Sequence, residues 1–190
     1  MKELIRQIGF DDGFFRKSDE RVPLVGCVVR GNDLVEGFII SSVSVDGDDA
    51  TELLAELIDK SKFKDTLKVV FLKGVTLGGF NVVDIKALSD SVNMPVIVLL
   101  RKPPDMRRIK DAIKNVDNYE DKLRRMERAG RIFEIKRDRG RLFFQKAGVN
   151  KKDAIAIIEK CIKTGNIPES VRIAHMVASA MTLGESVRRA

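Results

Sequence analysis

LKVVFLKGVTLGGFNVVDIKALSDSVNMPVIVLL, residues 67–100, is the stretch that decides the fold class. Residues 67–72 and 95–100 are short aliphatic runs of the length of buried strands. The second carries no polar residue at all, as expected of a parallel strand covered on both faces. Between them the spacing predicts a helix over 82–92, with Asn81 placed as its N-cap. Strand, helix, strand is the unit from which parallel sheets are built.

Upstream the period is that of strands. Residues 4–10 read as a strand that runs into the acidic turn Asp11-Asp12-Gly13. Residues 23–30 and 34–45 are further strand-forming runs, joined by the turn Gly31-Asn32-Asp33 and interrupted once at Gly37. After Asp46-Gly47-Asp48-Asp49 the apolar residues Ala50, Leu53, Leu54, Leu57 and Ile58 fall on one helical face, with Asp48 or Asp49 as N-cap. The order of three strands, helix, strand, helix, strand predicts an α/β fold with a mixed five-stranded sheet. An antiparallel meander forms one side and parallel strands the other, flanked by helices.

Downstream, Asp105 is positioned to cap a helix carrying Met106, Ile109, Ile113 and Val116, and Asn118 to cap another carrying Leu123, Met126 and Ala129. Residues 131–135 and 142–145 suggest a small hairpin with a basic tip at 136–140, and helices are expected near 151–163 and 169–182. A chain of 190 residues suits one domain, in which the helices and hairpin of about 103–146 form a basic insertion. The hydrophobic fraction of 44% beside 33% charged residues is that of a globular protein, and no apolar stretch approaches the roughly 20 residues of a membrane span. The N-terminus has no signal-peptide pattern, so a cytoplasmic protein without membrane contact is expected. Cys27 and Cys161 lie far apart with no metal-ligand spacing and read as buried thiols.

Charge is localised. Residues 101–141 hold fifteen Lys/Arg against eight Asp/Glu, while the rest of the chain balances at twenty against twenty, so the whole net charge of +7 lies in one segment. Such a patch is the footprint of a protein that meets phosphates; solvated helix faces are the plainer alternative.

The groups most suited to chemistry are carboxylates at strand ends, because a divalent cation that activates water needs hard oxygen ligands on rigid elements. Asp11 and Asp12 end the first strand; Asp46, Asp48 and Asp49 follow the third. The same residues are also ordinary turn and N-cap residues. Gly74-Val75-Thr76-Leu77-Gly78-Gly79-Phe80-Asn81 is a glycine-rich loop whose amides could approach a phosphate or a flipped base, or simply make a sharp turn. It lacks the spacing of a P-loop. Phe14, Phe15 and Phe80 lie in the loops nearest the carboxylates and offer base stacking, against core packing as the common use of Phe; Phe143 and Phe144 are a second pair. His175, the one histidine, sits a position away from the apolar stripe Val171, Ala174, Ala178, Met181 and reads as packed or solvated rather than catalytic.

Five segments taken together carry a resemblance: IGFDDG at 8–13, VDGDDATE at 45–52, VVFLKGVTLGGFNVVDI at 69–85, MPVIVLLRKPPD at 94–105 and IPESVRIAH at 167–175. They resemble an archaeal family related to endonuclease V, over nearly the whole chain. The resemblance implies a ribonuclease H-like fold, Mg²⁺- or Mn²⁺-dependent phosphodiester cleavage, and recognition of DNA (or RNA) containing deoxyuridine or inosine, a DNA-repair role. Carried over by position, the first-strand metal ligand matches Asp11, with Asp12 beside it, and further ligands fall in the 46–49 cluster, taken as Asp46 and Asp49. Asp48 joins Asp11, Asp12 and Asp49 among the catalytic candidates, and Lys102 matches a lysine near the scissile phosphate. Lys73, Phe80, Asn81, Arg101, Arg107 and Arg108 are the expected nucleic-acid contacts.

One departure matters. Where the relatives have an Asp before the glycine at the end of the fourth strand, this chain has Lys73 before Gly74. An ammonium repels the ion whose ligand it replaces. Three outcomes are open: Asp84 or another carboxylate substitutes, Lys73 itself contacts the phosphate, or metal-dependent cleavage is lost and the chain is a non-catalytic, nucleic-acid-binding or protein-binding relative.

Overall fold

The structure, a computed structural model, describes residues 4–16, 18–137 and 140–186. A seven-stranded mixed sheet runs through the molecule. Strands β1 (Arg6–Asp12), β2 (Arg21–Arg30) and β3 (Leu34–Ser44) form the antiparallel meander; β4 (Val69–Lys73) and β7 (Val96–Leu100) continue parallel to β1. The hairpin of β8 (Phe133–Arg137) and β9 (Gly140–Ala147) then pairs antiparallel with β7, giving the order β3-β2-β1-β4-β7-β9-β8. The five strands expected from sequence are thus the first five of seven. The hairpin is part of the sheet because its apolar residues Ile135, Leu142 and Phe144 share a core with Phe71 and Leu99. Asp138 and Arg139 of the expected basic tip lie outside the described residues.

Period-two alternation sorts the strand residues onto two faces. Ile8 and Phe10 of β1, Val70 and Leu72 of β4, and Val96 and Val98 of β7 face helices α1 (Ala50–Asp59) and α2 (Ile85–Val92). Val69, Phe71, Ile97 and Leu99 face α5 (Lys151–Cys161) and the start of α6 (Glu169–Leu183), while Val25, Cys27 and Val29 of β2 meet Ala174 and Ala178 of α6. Burying each such aliphatic side chain stabilises the fold by roughly 1.5–3 kcal/mol, which is why both faces must be covered. Helices α3 (Met106–Ile113) and α4 (Tyr119–Arg128) pack through Ile113 and Met126 onto Val82. Cys27 and Cys161 are free and buried, and burial pushes both thiols up to about 12. No helix among the described residues is long and apolar enough to cross a membrane.

Two local expectations are corrected by tertiary contacts. The stretch after β4 is not yet helix: Thr76–Leu77 (β5) and Asn81–Val82 (β6) pair as a small antiparallel ribbon. Helix α2 therefore begins at Ile85, capped by Asp84, whose Oδ1 accepts from the amides of Lys86 and Ala87. Asn81 caps a different helix. Its Oδ1 accepts the Ala50 amide at 3.0 Å, so α1 is closed by a residue 31 positions on and not by the side chain of Asp48 or Asp49.

Candidate functional site

The parallel strands β1, β4 and β7 all end on one edge of the sheet, where open α/β sheets hold their ligands. Strand β1 extends two residues beyond the expected boundary, because Asp11 and Asp12 still pair with Val25 and Leu24 of β2. Neighbouring residues of a strand point to opposite faces, so the two carboxylates separate. Asp11 faces α6; Asp12 lies on the side of Ile8 and Phe10.

Asp11 meets two partners. Its Oδ2 lies 2.7 Å from His175 Nδ1 and accepts from Lys73 Nζ at 3.0 Å, and Lys73 Nζ is 2.8 Å from the same His175 nitrogen. Asp11 Oδ1 accepts the Asp12 amide. Lys73 is level with Asp11 because β4 runs in parallel register with β1, Leu72 opposite Phe10. The lysine side chain is the wetter member, 27% exposed against 4% for Asp11 and 9% for His175. The second ring nitrogen, His175 Nε2, is buried without a hydrogen-bond partner among the described residues.

His175 reaches Asp11 because the end of β1 and the residue after it read Gly9-Phe10-Asp11-Asp12-Gly13. Gly9, Asp11 and Gly13 share the face that α6 crosses. A Cβ on Gly9 would stand 2.5 Å from Val171 N, and one on Gly13 would stand 2.6 Å from Thr182 Cγ2. Two hydrogens in place of side chains let the helix lie on the strand, with His175 over the one residue that carries a side chain. Ser170 Oγ, donating to Gln7 Oε1 at 2.7 Å, pins the start of the helix. Sequence reasoning passed over His175; the alternation of Gly9, Asp11 and Gly13 opposite the helically spaced Val171, His175, Ala178 and Thr182 is the signal that could have found it.

The other carboxylates go elsewhere. Asp12 Oδ2 accepts the Gly78 amide at 2.6 Å, Asp46 Oδ1 accepts the Phe80 amide at 2.7 Å, and the Asp46 amide donates to Gly78 O. The two acidic clusters do converge, on the amides of the glycine loop. A Cβ on Gly79, whose φ is +84°, would stand 2.3 Å from Asp46 Oδ1, so the loop needs glycine there to close on its carboxylate. The Gly78 and Phe80 amides expected to meet a phosphate are already spent on Asp12 and Asp46. Asp49 accepts from Asn81 Nδ2 and from Ser44, and Asp48 from Lys122 Nζ and Asn118 Nδ2. Burial raises both carboxyls, but these hydrogen bonds outweigh it and hold them below their ordinary value. Asp48 and Asp49 thus hold α4 and Asn81 in place.

The same test sorts the expected nucleic-acid contacts. Asn81 is fully buried as the α1 cap and leaves the set, while Phe80 is half-buried against Val82, Ile113 and Met126. Arg101, Lys102, Arg107 and Arg108 are exposed. Arg101 and Lys102 follow β7 on the same sheet edge as Asp11 and Lys73, and Arg107 and Arg108 open α3 just beyond. Phe14 and Phe15 remain exposed, and Phe15 Cζ lies beside Gly79.

Burial pushes the Asp12 carboxyl up to about 6, against the Gly78 amide, which lowers it, and with a further rise from the charge of Asp11. The folded protein thus favours protonated Asp12. Relative to an unfolded value of about 3.9, its contribution to stability is present below about pH 4 and lost as pH rises through about 6. Asp12→Asn keeps an acceptor for the Gly78 amide and removes the titration. Wild type should lose on the order of 2 kcal/mol relative to Asp12→Asn between pH 4 and 7, discounted for partial solvent screening. Urea denaturation of both proteins across that window checks it; parallel pH profiles would refute it.

The Mg²⁺ or Mn²⁺ ion implied by the resemblance does not fit these residues. Both oxygens of Asp11 already accept hydrogen bonds, and one partner is an ammonium. A divalent ion about 4 Å from that ammonium would be repelled by about 8 kcal/mol at an effective dielectric constant near 20. Asp84 does not substitute, since it caps α2 and pairs with Arg128 at 2.9 Å. Among the described residues no three His, Cys, Asp or Glu side chains gather in a way that could hold a metal ion.

Comparison with known proteins places this architecture. The profile of one family, Endonuclease dU, matches residues 3–182. The chain belongs to the Endonuclease dU family. Archaeal relatives named UPF0215 protein span nearly the whole chain: that of Methanothermobacter thermautotrophicus is 45% identical over 98% of this chain and 92% of its own length. The one from Archaeoglobus fulgidus is 41% identical over 95% and 96%. A crystal structure of an A. fulgidus protein of unknown function superposes with a TM-score of 0.86 at 39% identity, covering 95% of this chain and 99% of that one. More distantly, human endonuclease V superposes at 0.61 with 18% identity, over 92% and 83% of the two chains. Ciona intestinalis endonuclease V bound to inosine-containing DNA superposes at 0.62 with 14% identity, over 94% and 85%. These likenesses establish the ribonuclease H-like, endonuclease V-type fold expected from the sequence, in a nuclease-related family.

Proposed function

We propose that this protein is an endonuclease that acts on DNA containing deaminated bases, deoxyuridine first and inosine second, in DNA repair. The observation that carries the reading is the buried Asp11 carboxylate at the end of β1, held by Lys73 and His175 beneath an exposed basic edge. Membership of the Endonuclease dU family and the endonuclease V-type fold support it. Positive groups aimed at the phosphate supply one part of phosphodiester cleavage by water, stabilising the charge that accumulates on its oxygens in the transition state. Arg101, Lys102, Arg107 and Arg108 steer the strand to that edge, which makes binding steeply salt-dependent.

The pairing of Lys73 with Asp11 favours a second reading, a relative that binds such DNA without cutting it. One experiment separates the two: labelled single- and double-stranded oligonucleotides with deoxyuridine, inosine or no lesion, incubated with wild type and Asp11→Ala. Lesion-dependent nicking that falls by about 100-fold or more in Asp11→Ala is the expected result, because loss of the carboxylate releases the charged group that stabilises the transition state. Lesion-dependent binding with no nicking by wild type would favour the binding protein, and neither binding nor nicking would end both readings.

A further inference from the structure

We infer that the Lys73 ammonium is the resident cation of this centre, standing where the fold family's relatives use a metal ligand, and that it binds the scissile phosphate directly. The inference rests on the nuclease reading for its ligand, a phosphodiester, but not for its account of the ion.

Four observations carry it. First, the backbone of Lys73 is fixed beside Asp11. It ends β4 in register with Asp11, and Gly74 turns the chain away immediately afterwards at φ +88°. Second, its charge is held on both sides by groups that are themselves fixed: Asp11 within the β1–β2 ladder, and His175 on a helix seated against Gly9 and Gly13. Third, every other acid near the edge is committed. Asp12 and Asp46 brace the glycine loop, Asp49 holds Asn81, and Asp84 caps α2, and among the described residues no three His, Cys, Asp or Glu side chains gather around a place for a divalent ion. Fourth, Lys73 is the exposed corner of the three. An ammonium has three N–H donors; Asp11 takes one, and His175 Nδ1 takes a second only in the tautomer that carries no proton there, so at least one remains for a phosphate oxygen arriving from solvent.

Asp11 and His175 are positioning residues here. They orient Nζ, and the lysine touches the substrate. A point charge on a flexible stem suits a single phosphate oxygen, whereas a guanidinium presents a wider planar fork.

Two titrations on the full-length protein test this. Calorimetric titration of metal-free wild type with Mn²⁺ should show no binding that depends on Asp11. Lys73→Asp exchanges the ammonium for a third ligand beside Asp11 and His175, and should gain one Mn²⁺ site that Asp11→Asn abolishes in the double variant. In EDTA, a deoxyuridine-containing oligonucleotide should still bind wild type, and Lys73→Met should weaken it about 10-fold, with Lys73→Arg recovering only part. If Lys73→Met fails to fold because Asp11 is left unpaired, Lys73→Met combined with Asp11→Asn makes the same measurement. Asp11-dependent Mn²⁺ binding by wild type, or equal oligonucleotide affinity in wild type and Lys73→Met, would overturn the inference. Absence of any oligonucleotide binding by wild type would overturn the nuclease reading and the phosphate contact with it, while the manganese titration would still decide whether the site takes an ion.

Discussion

Gly9→Ala is expected to lower stability by about 3 kcal/mol, near the upper end for an added methyl in a packed core, and to lower the melting temperature by about 10 °C. The added carbon would stand 2.5 Å from the backbone nitrogen of Val171 and 2.6 Å from Ser170 Oγ. A flexible side-chain tip could turn aside; a helix backbone cannot, so α6 must rise from β1 along its whole contact. The consequence reaches the site, because His175 sits one turn beyond Val171 on the same face and meets Asp11 at 2.7 Å only while the helix lies flat. The chain contains one histidine, so its ring gives a single set of imidazole resonances. These should move in Gly9→Ala together with the fall in melting temperature. A melting temperature within 2 °C of wild type with an unchanged imidazole spectrum would show that the strand–helix approach does not place His175.

Lys122→Ala is expected to cost about 3 kcal/mol, the lower end for breaking a buried ion pair, because one partner can regain water. The lysine side chain is fully buried, whereas that of Asp48 is 35% exposed. Its Nζ donates to Gly47 O at 2.5 Å and to Asp48 Oδ1 at 2.7 Å, tying α4 to the loop after β3. Without it the half-buried Gly47 carbonyl loses this donor, and α4 keeps the Met126 and Leu123 contacts and the Arg128–Asp84 ion pair. Limited proteolysis should then cut within residues 103–130 well before the rest of the chain. Asp48→Ala should cost at least as much, since it strands the buried ammonium with one acceptor. If Lys122→Ala matches wild type in both melting temperature and cleavage pattern, the basic helices are held by apolar packing alone.

Much of the fold is legible without coordinates. The aliphatic runs of β4 and β7 with the helical pattern between them, and the turn at Gly31-Asn32-Asp33, are local signals that survive into the tertiary structure because burial on two faces enforces the same periodicity. Asp11 is legible too, as a carboxylate in the last turn of the first strand. The Asn81 cap is not, because it lies 31 residues from the amide it satisfies; the amide of Ala50 is equally compatible in sequence with Asp48 or Asp49. The hairpin β8–β9 is visible as a hairpin, yet its pairing with β7 depends on which edge of the sheet is open, a property of the assembled sheet and not of either strand.

The sequence by itself determined the alternation of strands and helices, the basic segment, the lysine before Gly74 and the pair Asp11-Asp12. Only the tertiary structure decided what those charges do. Strand pleat sends Asp12 to the glycine loop and Asp11 to α6, parallel register brings Lys73 level with it, and two glycines admit His175 from 164 residues away. Side-chain chemistry is written residue by residue, but a site is a set of distances, and distances across a sheet are set by register and close packing.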